Sequence, residues 1–270
     1  MIGALLAVAR KDLIMFFRYP INAVFRIVEP IMWLTPAFFL GRGFSVDGTA
    51  TGFAAYTGSG DFFSFILVGS FLGAYISAVF WGIGYSLKME MDSGVLESNW
   101  MTPVPRLAFL VGRTLTSLIV TTLNCTGVLL ASWLLFGFSA DGPVGKAMLI
   151  TLPMLAGLYG FGFAFAGLVL LMRDANTLVD VSSFLLGELS GRGFPVTVLP
   201  RGLLVISLAL PTTYGFDAVR ALLLGTRPLL PPRVAAVVLM GFMVTMLVLG
   251  GIAFSAIERV CRARGTLGMH

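Results

Sequence analysis

The chain has 270 residues, 57% of them hydrophobic and only 11% charged, with a mean hydropathy of +0.95. No soluble domain packs such a composition without exposing large apolar patches. The net charge of +5 matches a positive-inside bias and contact with anionic headgroups, and calls for no nucleic acid. Membrane-length windows take up nearly all of these residues, so the sequence reads as a single all-α polytopic membrane domain over 1–270, with no stretch left for a separate catalytic unit.

Residues 1–19 carry an amphipathic pattern. On a helical wheel Leu6, Ala9, Leu13, Phe16 and Phe17 share one face while Lys11 and Arg18 lie opposite, as in a helix lying in the headgroup plane. Arg10, Lys11, Asp12 and Arg18 interrupt any apolar run, so this end reads as structure rather than a cleavable leader. Tyr19-Pro20 then turns the chain into the membrane. The segment is either an anchor for the first span or an elbow against a cytoplasmic partner.

Six spans follow: Asn22 to Leu40, Phe62 to Leu87, Leu107 to Phe136, Ala147 to Met172, a broken fifth at Thr177 to Leu189 continuing through Leu203 to Leu224, and Val234 to Ile257. In the first span Arg26 and Glu29 share a helix face. They read as a snorkelling pair near the boundary or as part of a translocation path. The second carries Gly69 and Gly73, a small-xxx-small face for close helix approach. Gly157, Gly160, Gly162 and Gly167 do the same for the fourth. Cys125 within the third span reads as a packing residue and Cys261 as a surface one, too far apart for a disulfide.

The fifth region is irregular. Apolar character breaks at Gly187 to Gly193 and again at Pro200-Arg201 and Pro211 to Asp217, over the range 190–224. Irregular backbone at depth survives only where protein or a cavity satisfies it, which predicts short re-entrant helices. Glu188 and Arg192, four apart, read as a loop ion pair or as an exit-path lining.

Lys and Arg collect before the first span, after the second and fourth, and at the end of the chain (Arg10, Lys11, Arg18; Lys88, Arg106, Arg113; Arg173; Arg259, Arg262, Arg264). With six crossings these groups share one side, which places both termini and residues 88–106 in the cytoplasm. Arg220, Arg227 and Arg233 break the rule and support a dip rather than a crossing near Leu203 to Leu224.

Catalysis within the bundle has little to work with. The only histidine is His270, so neither a Ser-His nucleophile nor an HExxH zinc site can be built. None of Lys11, Lys88 and Lys146 sits in a phosphate-binding glycine loop, so no cofactor or metal is expected on this chain, and any ATP and magnesium would be held by another subunit. A membrane enzyme would rest on Asp180 and Asp217 converging. An ion-driven secondary transporter would need mid-span carboxylates and an inverted repeat, for which support is thin.

The polar segment 88–106 is the most informative. Glu90, Asp92 and Glu97 make it acidic, Gly94 loosens it, Leu96 and Trp100 keep it partly apolar, and Thr102-Pro103 ends it before Arg106 opens the next helix. Here the chain resembles the membrane subunits of type-two ATP-binding-cassette transporters. The match runs over Met89-Glu-Met-Asp-Ser-Gly-Val-Leu-Glu97, Met101-Thr-Pro-Val-Pro-Arg106 and Leu110-Val-Gly-Arg113, and departs at Val95 and Trp100, where the family often has Thr and Leu. The resemblance implies six spans, an interface helix, a coupling helix at 88–106 and re-entrant helices after the fifth span. It also implies a plasma-membrane permease, bacterial or archaeal, that pairs with a second identical or homologous chain. Such a permease recruits two cytoplasmic ATPase subunits and exports a drug, antibiotic, lipid or glycan precursor. The coupling residues it points to are Glu90, Asp92, Gly94, Leu96, Glu97, Thr102 and Pro103.

Overall fold

The computed structural model describes residues 20–45, 50–94, 106–172 and 175–263, together with Arg10, Ile14 and Arg18, which are helical and exposed. The structure is helical, with no strand among the described residues. The elements are α1 (Pro20–Gly43), α2 (Thr51–Thr57), α3 (Phe62–Ser77), a π-helical stretch (Ala78–Tyr85) running into α4 (Ser86–Asp92), α5 (Arg106–Phe136), α6 (Val144–Leu170), α7 (Asn176–Leu189), a 3-10 turn (Val196–Val198), α8 (Arg201–Ala209), α9 (Pro211–Leu224) and α10 (Pro232–Ala263).

Among the described residues five helices are long and apolar enough to cross a membrane: Val24–Gly43, Phe62–Glu90, Phe109–Phe136, Val144–Leu170 and Pro232–Cys261. The fifth predicted span differs. α7 has 14 residues, a rise of roughly 21 Å that falls short of a hydrocarbon core. It ends in a packed turn, where Ser190 Oγ and Thr212 Oγ1 of α9 lie 2.6 Å apart and Ser207 Oγ of α8 donates to the Leu189 carbonyl at 2.6 Å. α8 and α9 then meet at a bend of 87°. Leu210-Pro211 causes the bend, since proline at the start of α9 has no N–H to continue the preceding helix.

The longest packing seam joins α6 to α10, and glycine makes it close. A Cβ on Gly250 would stand 1.9 Å from the Gly160 carbonyl oxygen, and one on Gly160 would stand 2.6 Å from Leu247 N. The fourth-span glycines Gly157, Gly160 and Gly167 therefore pack on α10 of the same chain, and Gly162 on Val79. α10 continues beyond the predicted end at Ile257, and its final turns stay against the core. Cys261 is consequently fully buried, not a surface residue.

Gly69 and Gly73 do something other than seat a neighbouring helix. A Cβ on Gly69 would fall 1.9 Å from Arg220 Nη2 and 2.0 Å from the Arg192 carbonyl oxygen, and one on Gly73 would fall 2.7 Å from Arg192 Cδ. The stripe is filled by the α7–α8 turn and by two arginines. Spacing alone reveals a groove and not its occupant.

Candidate functional site

Between α1, α3 and α5 lies a cavity of about 810 Å³. Each helix contributes one face at helical spacing: Arg26, Glu29, Pro30 and Leu34 from α1, Ser70 to Trp81 from α3 and its π-helical continuation, and Arg113 to Leu129 from α5. The structure thus brings the sequence-predicted pair Arg26 and Glu29 onto a cavity. It leaves Glu188 and Arg192 elsewhere: their side chains stand 4.0 Å apart, partly exposed, at the α7 end.

The cavity is graded along its length. Its end near α4 carries Arg26, Glu29, Met89 and Arg113, its middle carries Thr116, Ser117, Thr121 and Asn124, and its far end carries Leu34, Leu67, Val128 and Leu129. Leu34 and Leu67 belong to an apolar cluster with Phe63, against which Phe38 and Phe136 pack. Phe38 lies 5.3 Å from Phe63 and 4.7 Å from Phe136, centroid to centroid. This aromatic cluster stands at the far end of the cavity. Behind the polar middle, Tyr75 and Thr122 join α3 to α5 at 2.9 Å, and Ser117 and Tyr159 join α5 to α6 at 3.3 Å.

The π-helical stretch continues the α3 wall of the cavity, presenting Ala78, Trp81 and Gly82. A bulged ladder of this kind is uncommon and tends to sit at functional positions. It runs directly into α4, where charge pairing replaces apolar packing. Lys88, only 5% exposed, holds Asp92 at 2.5 Å. Glu90 accepts from Arg113 of α5. Both side chains of that pair are more than four-fifths buried. Two members of the expected acidic cluster differ in setting: Glu90 ties the end of the second span to the start of the third, and Asp92 is half exposed. Gly94 closes the described part of the segment at φ +68, which favours glycine. Leu96, Glu97, Thr102 and Pro103 lie outside the described residues, as do Lys11 and Phe17 of the expected interface helix; Arg18 is exposed.

The carboxylate pair considered for an enzyme is not formed. Asp180 is exposed on α7, roughly 15 Å of helix rise from the Ser190 that touches α9. Asp217 accepts instead from Leu229 N at 2.6 Å. Among the described residues no group of His, Cys, Asp or Glu is placed to hold a metal.

Sequence reasoning flagged Arg220 as misplaced and missed its role. It is 3% exposed and donates to the Phe65, Gly191 and Arg192 carbonyls at 3.0, 2.6 and 2.8 Å. Its guanidinium also lies 3.6 Å from the Phe65 ring centroid. The only sequence signal was a charge in an apolar run together with the earlier glycine-rich backbone at Gly187 to Gly193, able to offer free carbonyls.

A family model described as ABC-2 type transporter matches residues 3–224. A search of curated proteins finds no match.

Proposed function

The chain belongs to the ABC-2 type transporter family and is a multi-pass permease subunit of an ABC transporter; we propose that it works as an exporter of amphipathic compounds, driven by ATP hydrolysed on a separate cytoplasmic subunit. Two such ATPases, carrying ATP and magnesium, engage two permease chains at the segment from Lys88 to Arg106. Both chain termini lie on that same cytoplasmic side.

One observation carries this reading: the buried Glu90–Arg113 pair joins the start of the predicted docking segment, on α4, to α5, and Arg113 itself lines the cavity. A push on α4 therefore reaches the cavity wall through one side-chain contact and through the π-helical stretch directly above it. A coupling element needs such a short mechanical route between two discrete arrangements. The cavity's polar end faces the docking side and its aromatic end faces away, which suits uptake from the cytoplasmic leaflet before a switch of access.

The test is an affinity pulldown from native membranes followed by an ATPase assay. Recovery of a nucleotide-binding subunit, lost on Gly94→Pro or Glu97→Ala, is expected. Recovery of the chain alone, with no ATPase, would overturn the ATP-driven reading.

A further inference from the structure

On the helices that wall the cavity, threonine hydroxyls fall into two kinds. Thr35, Thr114, Thr116 and Thr126 each donate to the carbonyl four residues back, at 2.8, 2.9, 3.2 and 2.8 Å, the usual way a helical threonine is satisfied in apolar surroundings. Thr121 does not. It is 9% exposed, lines the cavity, and its side chain makes no hydrogen bond among the described residues. Among those residues the buried side-chain oxygen that is both unpartnered and sealed in protein is Ser132 Oγ, so the Thr121 hydroxyl opens onto the cavity. The side chains of Asn124, Ser70 and Ser77 line the same cavity and also make no hydrogen bond among the described residues.

These groups share one level of the molecule. Tyr75 meets Thr122 at 2.9 Å and Cys125 Sγ donates to the Phe71 carbonyl at 3.8 Å, which sets α3 against α5 in antiparallel register. Ser70 and Ser77, on one face of α3, therefore bracket Thr121 and Asn124, which lie one turn apart on α5. The membrane-length stretch Phe109–Phe136 has its midpoint at Thr122 and Leu123, so the unpaired groups sit mid-span, where a polar group without a partner is costly. Phe71, Ala74, Val120 and Val128 surround them with apolar wall. A mostly apolar lining with a few convergent polar groups is the pattern of a binding site. Asn124 adds selectivity, because its carboxamide holds an acceptor and a donor in one plane. Another carboxamide answers both at once. A group that only accepts leaves a donor unpaired, and an apolar group leaves every partner unpaired.

We infer that the middle of this cavity is a hydrogen-bonding subsite for a carboxamide-bearing molecule, with Asn124 and Thr121 as its selectivity residues. As a statement about cargo this rests on the permease reading. As a statement about binding it concerns this chain alone, so a test without ATPase or transport separates the two.

Trp81 lines the cavity one turn beyond Ser77 and supplies the readout. In a chain with Trp33, Trp100 and Trp133 each replaced by Phe, reconstituted in lipid nanodiscs, para-bromobenzamide is titrated while Trp81 fluorescence is followed, its bromine quenching by contact. Saturable quenching is expected, reversed by unbrominated benzamide. Para-bromoacetophenone, which accepts but does not donate, and para-bromotoluene, which does neither, should bind about tenfold more weakly or not saturate, although both enter lipid more readily than the amide. Asn124→Leu should weaken the amide about tenfold and Thr121→Val about threefold, with quenching by para-bromotoluene unchanged in both. Asn124→Gln should keep most of the amide preference, and Thr126→Val, on the exposed side of α5 with its hydroxyl already bonded to Thr122, should change nothing. Quenching that rises linearly with every probe would mean lipid partition only and would overturn the site. Equal saturation by the amide and para-bromotoluene, or an amide preference that survives Asn124→Leu and Thr121→Val, would overturn the selectivity assignment. Should Asn124→Leu lose its monodisperse peak, the isosteric Thr121→Val decides. A pulldown without any ATPase, with this binding intact, would instead count against the permease reading and leave the subsite standing.

Discussion

Replacing Arg220 tests the claim that one buried guanidinium holds the turn between α7 and α8 against α3. In Arg220→Met the Phe65 carbonyl keeps its place in the α3 ladder, but the Gly191 and Arg192 carbonyls lose the donors they have in the structure. A buried acceptor left unsatisfied costs about 1–3 kcal/mol, so two cost about 2–6 kcal/mol. The lost ring contact with Phe65 adds about 0.5–2 kcal/mol. Relief from burying the guanidinium offsets part of this sum, leaving a net loss of about 3 kcal/mol. At roughly 2–4 °C per kcal/mol for a chain of this size, the unfolding midpoint should drop by about 6–12 °C. The assay is fluorescence-detected size-exclusion chromatography after heating in detergent. Arg220→Lys, which keeps the charge and some of the donors, should lose about half as much. Gly69→Ala should match Arg220→Met, because its Cβ would fall where Arg220 Nη2 and the Arg192 carbonyl sit, and the double variant should be far from additive. A midpoint within 1–2 °C of the parent for both Arg220→Met and Gly69→Ala would refute the reasoning.

The remaining tests reach other parts of the molecule. Glu90→Arg and Arg113→Glu should each cut ATP-dependent transport severalfold, while the exchanged pair recovers part of it, with a coupling of about 0.5–3 kcal/mol read from a double-mutant cycle; additive losses would remove the tie. Gly160→Val should prevent the α6–α10 seam from closing, seen as loss of the monodisperse peak, whereas Gly251→Val, which meets nothing within 4 Å, should be tolerated. Cys261 should react with maleimide at under one tenth of the rate seen after denaturation in sodium dodecyl sulfate, and equal rates would place it at the surface after all. Gly94→Ala should cost about 1 kcal/mol through its positive φ and lower subunit co-purification, with Ser93→Ala as the neutral control.

The spans were legible because bilayer length and hydropathy are properties of a window and need no partner. The irregular fifth region was legible for a related reason: Gly187 to Gly193 and Pro211 are local signals. What the residues alone did not reveal was who meets whom. Gly69 and Gly73 read as a helix seam because their spacing describes a groove, while its filling by Arg192 and Arg220 depends on a turn more than a hundred residues away in sequence. Glu90 and Asp92 read alike, as members of one acidic cluster, because the partner of Glu90 lies on the next helix. The π-helical stretch at Ala78–Tyr85 leaves no mark in composition, since its residues are as apolar as any α-helical span. Arg26 and Glu29 were identified as a pair, and only the approach of α3 and α5 made them the wall of a cavity.

The seam between α6 and α10 has a mechanical corollary. Where backbone meets backbone, as at Gly160 and Gly250, no side-chain rotamers stand between the helices to be reshuffled, so the two behave as one plank. In the exporter proposed above, any alternation of access must carry this plank whole, so a disulfide tying α6 to α10 should leave transport intact.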